Sequence, residues 1–74
     1  MKIYTLRLFR DCEQPLRVER LTASTMDVAV GEARRRLAAS SFSRSELLDD
    51  GRVVGGFQRA RRGGDITVLP LFGH

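Results

Sequence analysis

The fold is decided by residues 45–57, which read SELLDDGRVVGGF. The Asp50-Gly51 pair separates two segments rich in apolar residues, and an Asp-Gly pair in this setting is a strong short-range signal for a β-hairpin. The pattern therefore predicts a hairpin over 45–57, with Gly51 at positive φ. Two further glycines, Gly55 and Gly56, lie inside the second strand and indicate a β-bulge or a close approach to the backbone.

A second hairpin is predicted over residues 3–22. Its first strand carries apolar side chains on one face at every second position, namely Tyr4, Leu6 and Leu8. The polar residues 10–15 form the turn. On the returning strand, Leu16 and Val18 are expected to share the face of the first apolar set, with a bulge or strand end near Arg20.

Between the two hairpins, residues 25–39 have the pattern of an amphipathic helix. Ser24 is expected to be the N-cap, with Asp27 three residues later as in a capping box. The apolar stripe comprises Met26, Ala29, Val30, Ala33 and Leu37. Glu32 and Arg36 form a favourable i, i+4 ion pair on the polar surface. The stripe is expected to pack on one face of the sheet.

The C-terminal part is expected to be a loop followed by a strand. Residues 58–65 hold three Arg and two Gly, which favours an Arg/Gly loop. Residues 66–72 are a possible edge strand because Pro70 cannot donate to a central ladder. The chain is therefore predicted to be one α+β domain over 1–74: an antiparallel sheet of four or five strands, ββαββ with a possible fifth strand, and one helix on one face.

These segments resemble a group of short bacterial ββαββ proteins. The counterparts are Tyr4-x-Leu6-x-Leu8, the helix from Met26 to Leu37, and the hairpin sequence from Glu46 to Val54. Leu48 stands where that group usually has Trp, and residues 58–74 have no counterpart. The resemblance implies the same fold, and the group has no assigned activity that it would imply for this chain.

The charge of the chain suggests an anionic partner. The formal net charge is +4, and Lys2 is the only Lys among 13 basic residues. Arginine binds phosphate through a rigid bidentate fork, although genomic composition is the more common source of an Arg excess. The candidate residues for nucleic-acid or anion binding are Arg34, Arg35, Arg36, Arg59, Arg61 and Arg62. The alternative interpretation is a solvated helix end and an exposed charged loop.

Apolar residues outside the expected helix-facing set suggest self-association. The candidates are Ile3, Phe9, Ile66, Val68, Leu69, Leu71 and Phe72. A one-helix sheet with a second, partly apolar face often finds a partner. The alternative is a strongly curved sheet that buries these side chains within one chain. Phe57 is either a core residue or a stacking surface for a base.

Catalysis and metal binding are not expected. The chain has one Cys, Cys12, and one His, His74, so it lacks a thiol–base pair and a His or Cys ligand cluster. No apolar run approaches the ~20 residues of a membrane span. No cofactor is expected. The predicted function is that of a small cytoplasmic protein-interaction or regulatory module that binds another protein or forms a homodimer; the alternative is a nucleic-acid-binding protein.

Overall fold

The sheet and helix predicted from the sequence are present in the computed structural model, which describes residues 1–11 and 13–72. All strand pairs are antiparallel, and the strand order is β2-β1-β3-β4-β5. One helix packs on the sheet, so the α+β prediction is confirmed. The elements are β1 (Lys2–Phe9), β2 (Arg17–Ala23), α1 (Met26–Ala38), β3 (Arg44–Asp49), β4 (Arg52–Arg62) and β5 (Asp65–Phe72).

The core lies between α1 and one face of the sheet. Ala29, Ala33 and Leu37 of the helix are fully buried, and Met26 and Val30 are partly buried beside them. The small alanines allow the helix axis to approach the sheet closely. The strands contribute Tyr4, Leu6, Leu8, Leu21, Ala23, Leu47, Phe57 and Val68. The predicted helix stripe is therefore confirmed as the core-facing surface.

The helix is capped by Thr25, so the prediction of Ser24 as N-cap is wrong. Thr25 has extended backbone angles, and its Oγ1 accepts a hydrogen bond from the amide of Val28 at 3.2 Å. Either hydroxyl could cap a helix on sequence grounds, because both precede the apolar stripe. Asp27 lies in the first turn, where its charge complements the helix dipole.

The β1–β2 hairpin has a different register from the one expected. Tyr4 pairs with Leu21 in an unbroken ladder, so no bulge occurs near Arg20. Leu21 is 2% exposed and faces α1, whereas Leu16 and Val18 are each 59% exposed. Leu16 and Val18 form one alternating apolar set, and Leu21 and Ala23 form another. The pairing of Leu21 with Tyr4 places the second set on the core-facing side of the sheet.

The hairpin over 45–57 is confirmed. Asp50 and Gly51 both have positive φ, 53° and 79°, as a two-residue type I′ turn requires. The pairing of β3 with β4 shifts between Leu47 and Leu48, and the pairing of β4 with β5 shifts beside Gly56. The ring of Phe72 occupies the position that a Cβ at Gly56 would need. Both expectations for Gly55-Gly56, a bulge and a close approach, are therefore met.

The prediction of a loop over 58–65 is wrong. β4 continues to Arg62 and pairs with β5 across Gly63-Gly64, whose φ angles are 57° and 92°. These two glycines form a tight turn, and the polar residues before them lie in a strand that is exposed on both faces. The edge strand predicted over 66–72 is present as β5.

Candidate nucleic-acid interface

The β4–β5 hairpin extends beyond the rest of the sheet. The last link of β4 to the chain preceding β3 is the hydrogen bond from the Arg59 amide to the Ser43 carbonyl, at 2.8 Å. Residues 60–67, called the ribbon below, pair only with each other. Three residues on each strand, at about 3.3 Å per residue, give a protrusion of about 10 Å. Residues 61–66 are all exposed.

Arg61 and Arg62 lie on opposite faces of the ribbon, because successive side chains of a strand alternate. Arg61 is on the face that continues the helix-covered side of the sheet, the side of Phe57 and Arg59. Arg62 is on the other face, opposite Asp65 in the register. Neither guanidinium has a hydrogen bond or an ion pair with any residue that the structure describes.

Ion pairing divides the basic residues into two sets. Six form an ion pair within 4.0 Å with a carboxylate: Lys2, Arg7, Arg17, Arg35, Arg36 and Arg44. Within residues 1–11 and 13–72, seven have no carboxylate at that distance: Arg10, Arg20, Arg34, Arg52, Arg59, Arg61 and Arg62. Four members of the second set lie on the ribbon or at its base, and Asp65 is the one carboxylate of the ribbon sequence.

Two of these arginines are fixed by main-chain carbonyls. The Nε of Arg59 donates to the carbonyl of Phe42 at 2.7 Å, and Nη2 of Arg34 donates to the carbonyl of Val68 at 2.9 Å. A carbonyl orients a guanidinium without cancelling its charge, and a guanidinium has five N–H donors. Both side chains therefore keep their positive charge and further donors at the base of the ribbon. Beside them, a shallow depression of about 290 Å³ is lined by Arg59, Ala60, Arg61 and Ile66.

The three consecutive arginines of the helix do not form one patch. Arg34 reaches β5, whereas Arg35 and Arg36 bind Glu32 at 2.5 and 2.8 Å, and Arg36 also binds Glu19 at 3.0 Å. Hydrogen bonds from Arg35 and then Arg36 lower the pKa of Glu32 to about 2. The predicted Glu32–Arg36 pair is confirmed. Of the six candidate residues, Arg34, Arg59, Arg61 and Arg62 are brought to one end of the molecule, and Arg35 and Arg36 are neutralised.

The sheet face opposite α1 carries the other candidate surface. Arg44 stacks on the ring of Phe9, with its guanidinium carbon 3.9 Å from the ring centroid, and Phe9 is only 3% exposed. Val68 is 8% exposed and belongs to the core. Phe9 and Val68 are therefore not available for self-association, and that part of the prediction is wrong. Leu69 is half-buried, and the four exposed candidates are Ile3, Ile66, Leu71 and Phe72.

Three further findings concern Phe57, metal ligands and membrane-spanning helices. Phe57 is fully buried, so it is a core residue and not a stacking surface. Residues 1–11 and 13–72 contain no group of three or more His, Cys, Asp or Glu side chains arranged for a metal ion. Within the same residues, no helix has the length and apolar character needed to cross a membrane. Cys12 and His74 lie outside the described residues.

Three other arginines without a carboxylate partner among the described residues, Arg10, Arg20 and Arg52, were not predicted from the sequence. Arg10 donates a hydrogen bond to Ser41 Oγ at 2.8 Å and lies over the ring of Phe42. Arg20 and Arg52 lie away from the ribbon, because Arg20 is in the edge strand β2 and Arg52 begins β4 at the opposite end from Arg62. No local pattern marks them, because ion pairing depends on which strands become neighbours.

Comparison of the chain with protein-family models, with curated proteins and with solved structures gives no match.

Proposed function

We propose that this chain is a nucleic-acid-binding module that contacts phosphate groups through Arg34, Arg59, Arg61 and Arg62. The observation that carries the proposal is the concentration of four guanidinium groups without carboxylate partners at the ribbon end. The competing expectation of a protein-interaction module receives no comparable support from the charge distribution. A cytoplasmic location accompanies the proposal, because the module must meet nucleic acid.

Release of counterions from the nucleic acid is the physical basis of the expected binding and of its dependence on salt. A protein that neutralises Z phosphates of B-DNA loses affinity with a slope of about −0.9Z in log K against log salt. Four phosphate contacts give a slope of about −3.6, which is an affinity loss of about 150-fold between ~50 and ~200 mM salt. Arg34 and Arg59 are already held in place by carbonyls, so their ordering adds little entropic cost on binding.

The test is fluorescence anisotropy of the full chain against mixed-sequence DNA and RNA, both single- and double-stranded, over a series of salt concentrations. The test variant is Arg61→Gln/Arg62→Gln, and the matched control is Arg20→Gln/Arg52→Gln. Each variant removes two exposed, unpaired positive charges, so both have the same net charge. We expect the ribbon variant to reduce the salt slope by about 1.8 and the control to leave the slope unchanged.

Two outcomes would overturn the proposal. One is the absence of binding to every nucleic acid at ~50 mM salt, where electrostatic binding is strong. The other is an equal loss of affinity in both double variants, which would mean that net charge and not the ribbon controls binding. In the first case, capture of an acidic protein by the wild type but not by the ribbon variant would assign the arginines to a protein partner.

A second candidate function is self-association through the sheet face opposite α1, with a second copy of the chain as the occupant. Ile3, Val53 and Phe72 are exposed on that face, where Arg7 and Arg44 share Glu46 as a common ion-pair partner at 3.7 and 3.6 Å. This shared carboxylate reduces the charge repulsion between two copies. Light scattering at micromolar concentration should then give the mass of a dimer for the wild type and of a monomer for Phe72→Ser. A monomeric wild type would exclude this candidate.

A further inference from the structure

The shape of the ribbon restricts the kind of nucleic acid that it fits. We infer that the ligand is double-stranded DNA and that the ribbon enters its major groove; this inference rests on the proposed function. The ribbon is two strands wide, about 4.8 Å between chains, and protrudes by about 10 Å. The B-DNA major groove is about 12 Å wide and about 8.5 Å deep, and it admits a two-stranded β-ribbon.

The tip of the ribbon is narrow enough to approach the groove floor. Gly63 and Gly64 form the turn without side chains, and no heavy atom beyond the glycine and its two chain neighbours lies within 4 Å of a Cβ placed at either position. The space beside the turn is therefore open where side chains would stand, and main-chain atoms lead the ribbon into the groove. A bulky turn residue would stand between the backbone and the base edges.

The arginines lie at two depths along the ribbon. Arg61 and Arg62, next to the tip and on opposite faces, face the two walls of the groove, where their charges meet the phosphates and their planar guanidinium groups cover the adjacent guanine N7 edges. Arg34 and Arg59 lie at the base of the ribbon and are fixed by carbonyls. At that depth the nearest groups of a duplex are the phosphates that border the groove, and phosphate contacts fix the register of a protein on DNA.

Two other nucleic-acid forms fit the ribbon less well. Single strands are bound largely by stacking of bases on aromatic rings, and residues 60–67 (ARRGGDIT) contain no aromatic residue. The exposed ring of Phe72 lies over Gly56, four residues along β4 from the ribbon and about 13 Å away at strand spacing. Duplex RNA has a deep and narrow major groove that side chains do not enter.

The test compares three fluorescein-labelled probes of one sequence: a DNA duplex of about two helical turns (~20 base pairs), one of its strands, and the corresponding RNA duplex. We expect the wild-type chain to bind the DNA duplex at least ~10-fold more tightly than either other probe at ~100 mM salt. Equal or tighter binding of the single strand or the RNA duplex overturns the groove inference and leaves the proposed function intact. Failure to bind any probe overturns both.

A chemical footprint identifies the groove. Dimethyl sulfate methylates N7 of guanine, which lies in the major groove, and N3 of adenine, which lies in the minor groove. Wild-type protein and the control Arg20→Gln/Arg52→Gln should protect N7 and leave N3 reactive, and Arg61→Gln/Arg62→Gln should lose the N7 protection. Protection of N3 alone, or a duplex bound without any protection of N7, contradicts the inference even when the affinity for DNA is high.

Discussion

Arg35-Arg36 on the helix and Arg61-Arg62 on the ribbon are the same dipeptide in two opposite situations. The helix pair is held by Glu32 and Glu19, whereas the ribbon pair has no partner among the described residues. Composition treats the two pairs alike, and local sequence distinguishes them only by Glu32, which precedes the helix pair by three and four residues. The difference arises from the position of the carboxylates, so an arginine-rich segment becomes a candidate binding site only when its charges are left without internal partners.

The helix-covered part of the domain and the ribbon also differ in side-chain packing. The body of the domain, meaning α1 and the sheet residues against it, is built around fully buried side chains such as Phe57 and Leu37. The ribbon carries no fully buried side chain, and its pairing is limited to two strands. Two-stranded hairpins are marginally stable on their own, so the ribbon depends on the body while adding little to its stability.

The largest expected difference between the body and the ribbon is the loss of unfolding free energy when one apolar side chain of each region is truncated. Phe57→Ala removes a fully buried ring and should lower the free energy of unfolding by about 3–5 kcal/mol, close to the whole stability of a small domain. Ile66→Ala, at a side chain that is 43% exposed, should lower it by less than ~1 kcal/mol. Urea unfolding followed by circular dichroism measures both. Comparable losses would show that the ribbon belongs to the core.

A smaller difference is expected when one arginine of each pair is neutralised. Arg36→Gln removes hydrogen bonds to Glu32 and Glu19 at a partly exposed site and should lower the free energy of unfolding by about 1 kcal/mol. Arg61→Gln should change it by less than ~0.5 kcal/mol, because no internal partner is lost. Thermal unfolding at low salt is the measurement. Equal destabilisation by the two variants would mean that Arg61 has a structural role.

The smallest expected effect is the pH dependence of stability, which arises in the body of the domain through Glu32. The pKa of Glu32 falls from its usual 4.5 to about 2 on folding, because Arg35 and Arg36 hydrogen-bond to its carboxylate. Its contribution to stability is therefore complete above pH 4.5 and is lost as the pH falls toward 2. Melting temperatures of the wild type and Glu32→Gln should converge over that interval. A constant difference down to pH 2 would assign the effect of the variant to packing.

The sequence predicted the elements whose signals are local. The Asp50-Gly51 turn, the helix stripe and the edge strand with Pro70 each depend on neighbouring residues, and all three are present. The register of β2 was not predictable in this way, because Leu16 and Val18 alternate as well as Leu21 and Ala23 do. Only the pairing of β1 with β2 across the turn selects between the two sets.

The candidate site was predicted in part. The arginines of the ribbon were identified, but the exposed polar strand that carries them resembles a loop in sequence because neither face of it is apolar. The separation of Arg34 from Arg35 and Arg36 depends on contacts with β2 and β5 that lie far away in the chain. Likewise, Phe9 was assigned to an exposed face because the sequence does not show that Arg44 covers its ring.

The order of the strands has a consequence for the speed of folding. The pairs β1–β2, β3–β4 and β4–β5 are hairpins between consecutive strands, whereas β1–β3 joins residues as distant as Thr5 and Leu48. Contacts between residues far apart in the sequence form slowly, because the chain must lose the entropy of closing a long loop before these contacts stabilise it. We therefore expect the pairing of β1 with β3, which closes the loop of chain that contains β2 and α1, to limit the folding rate.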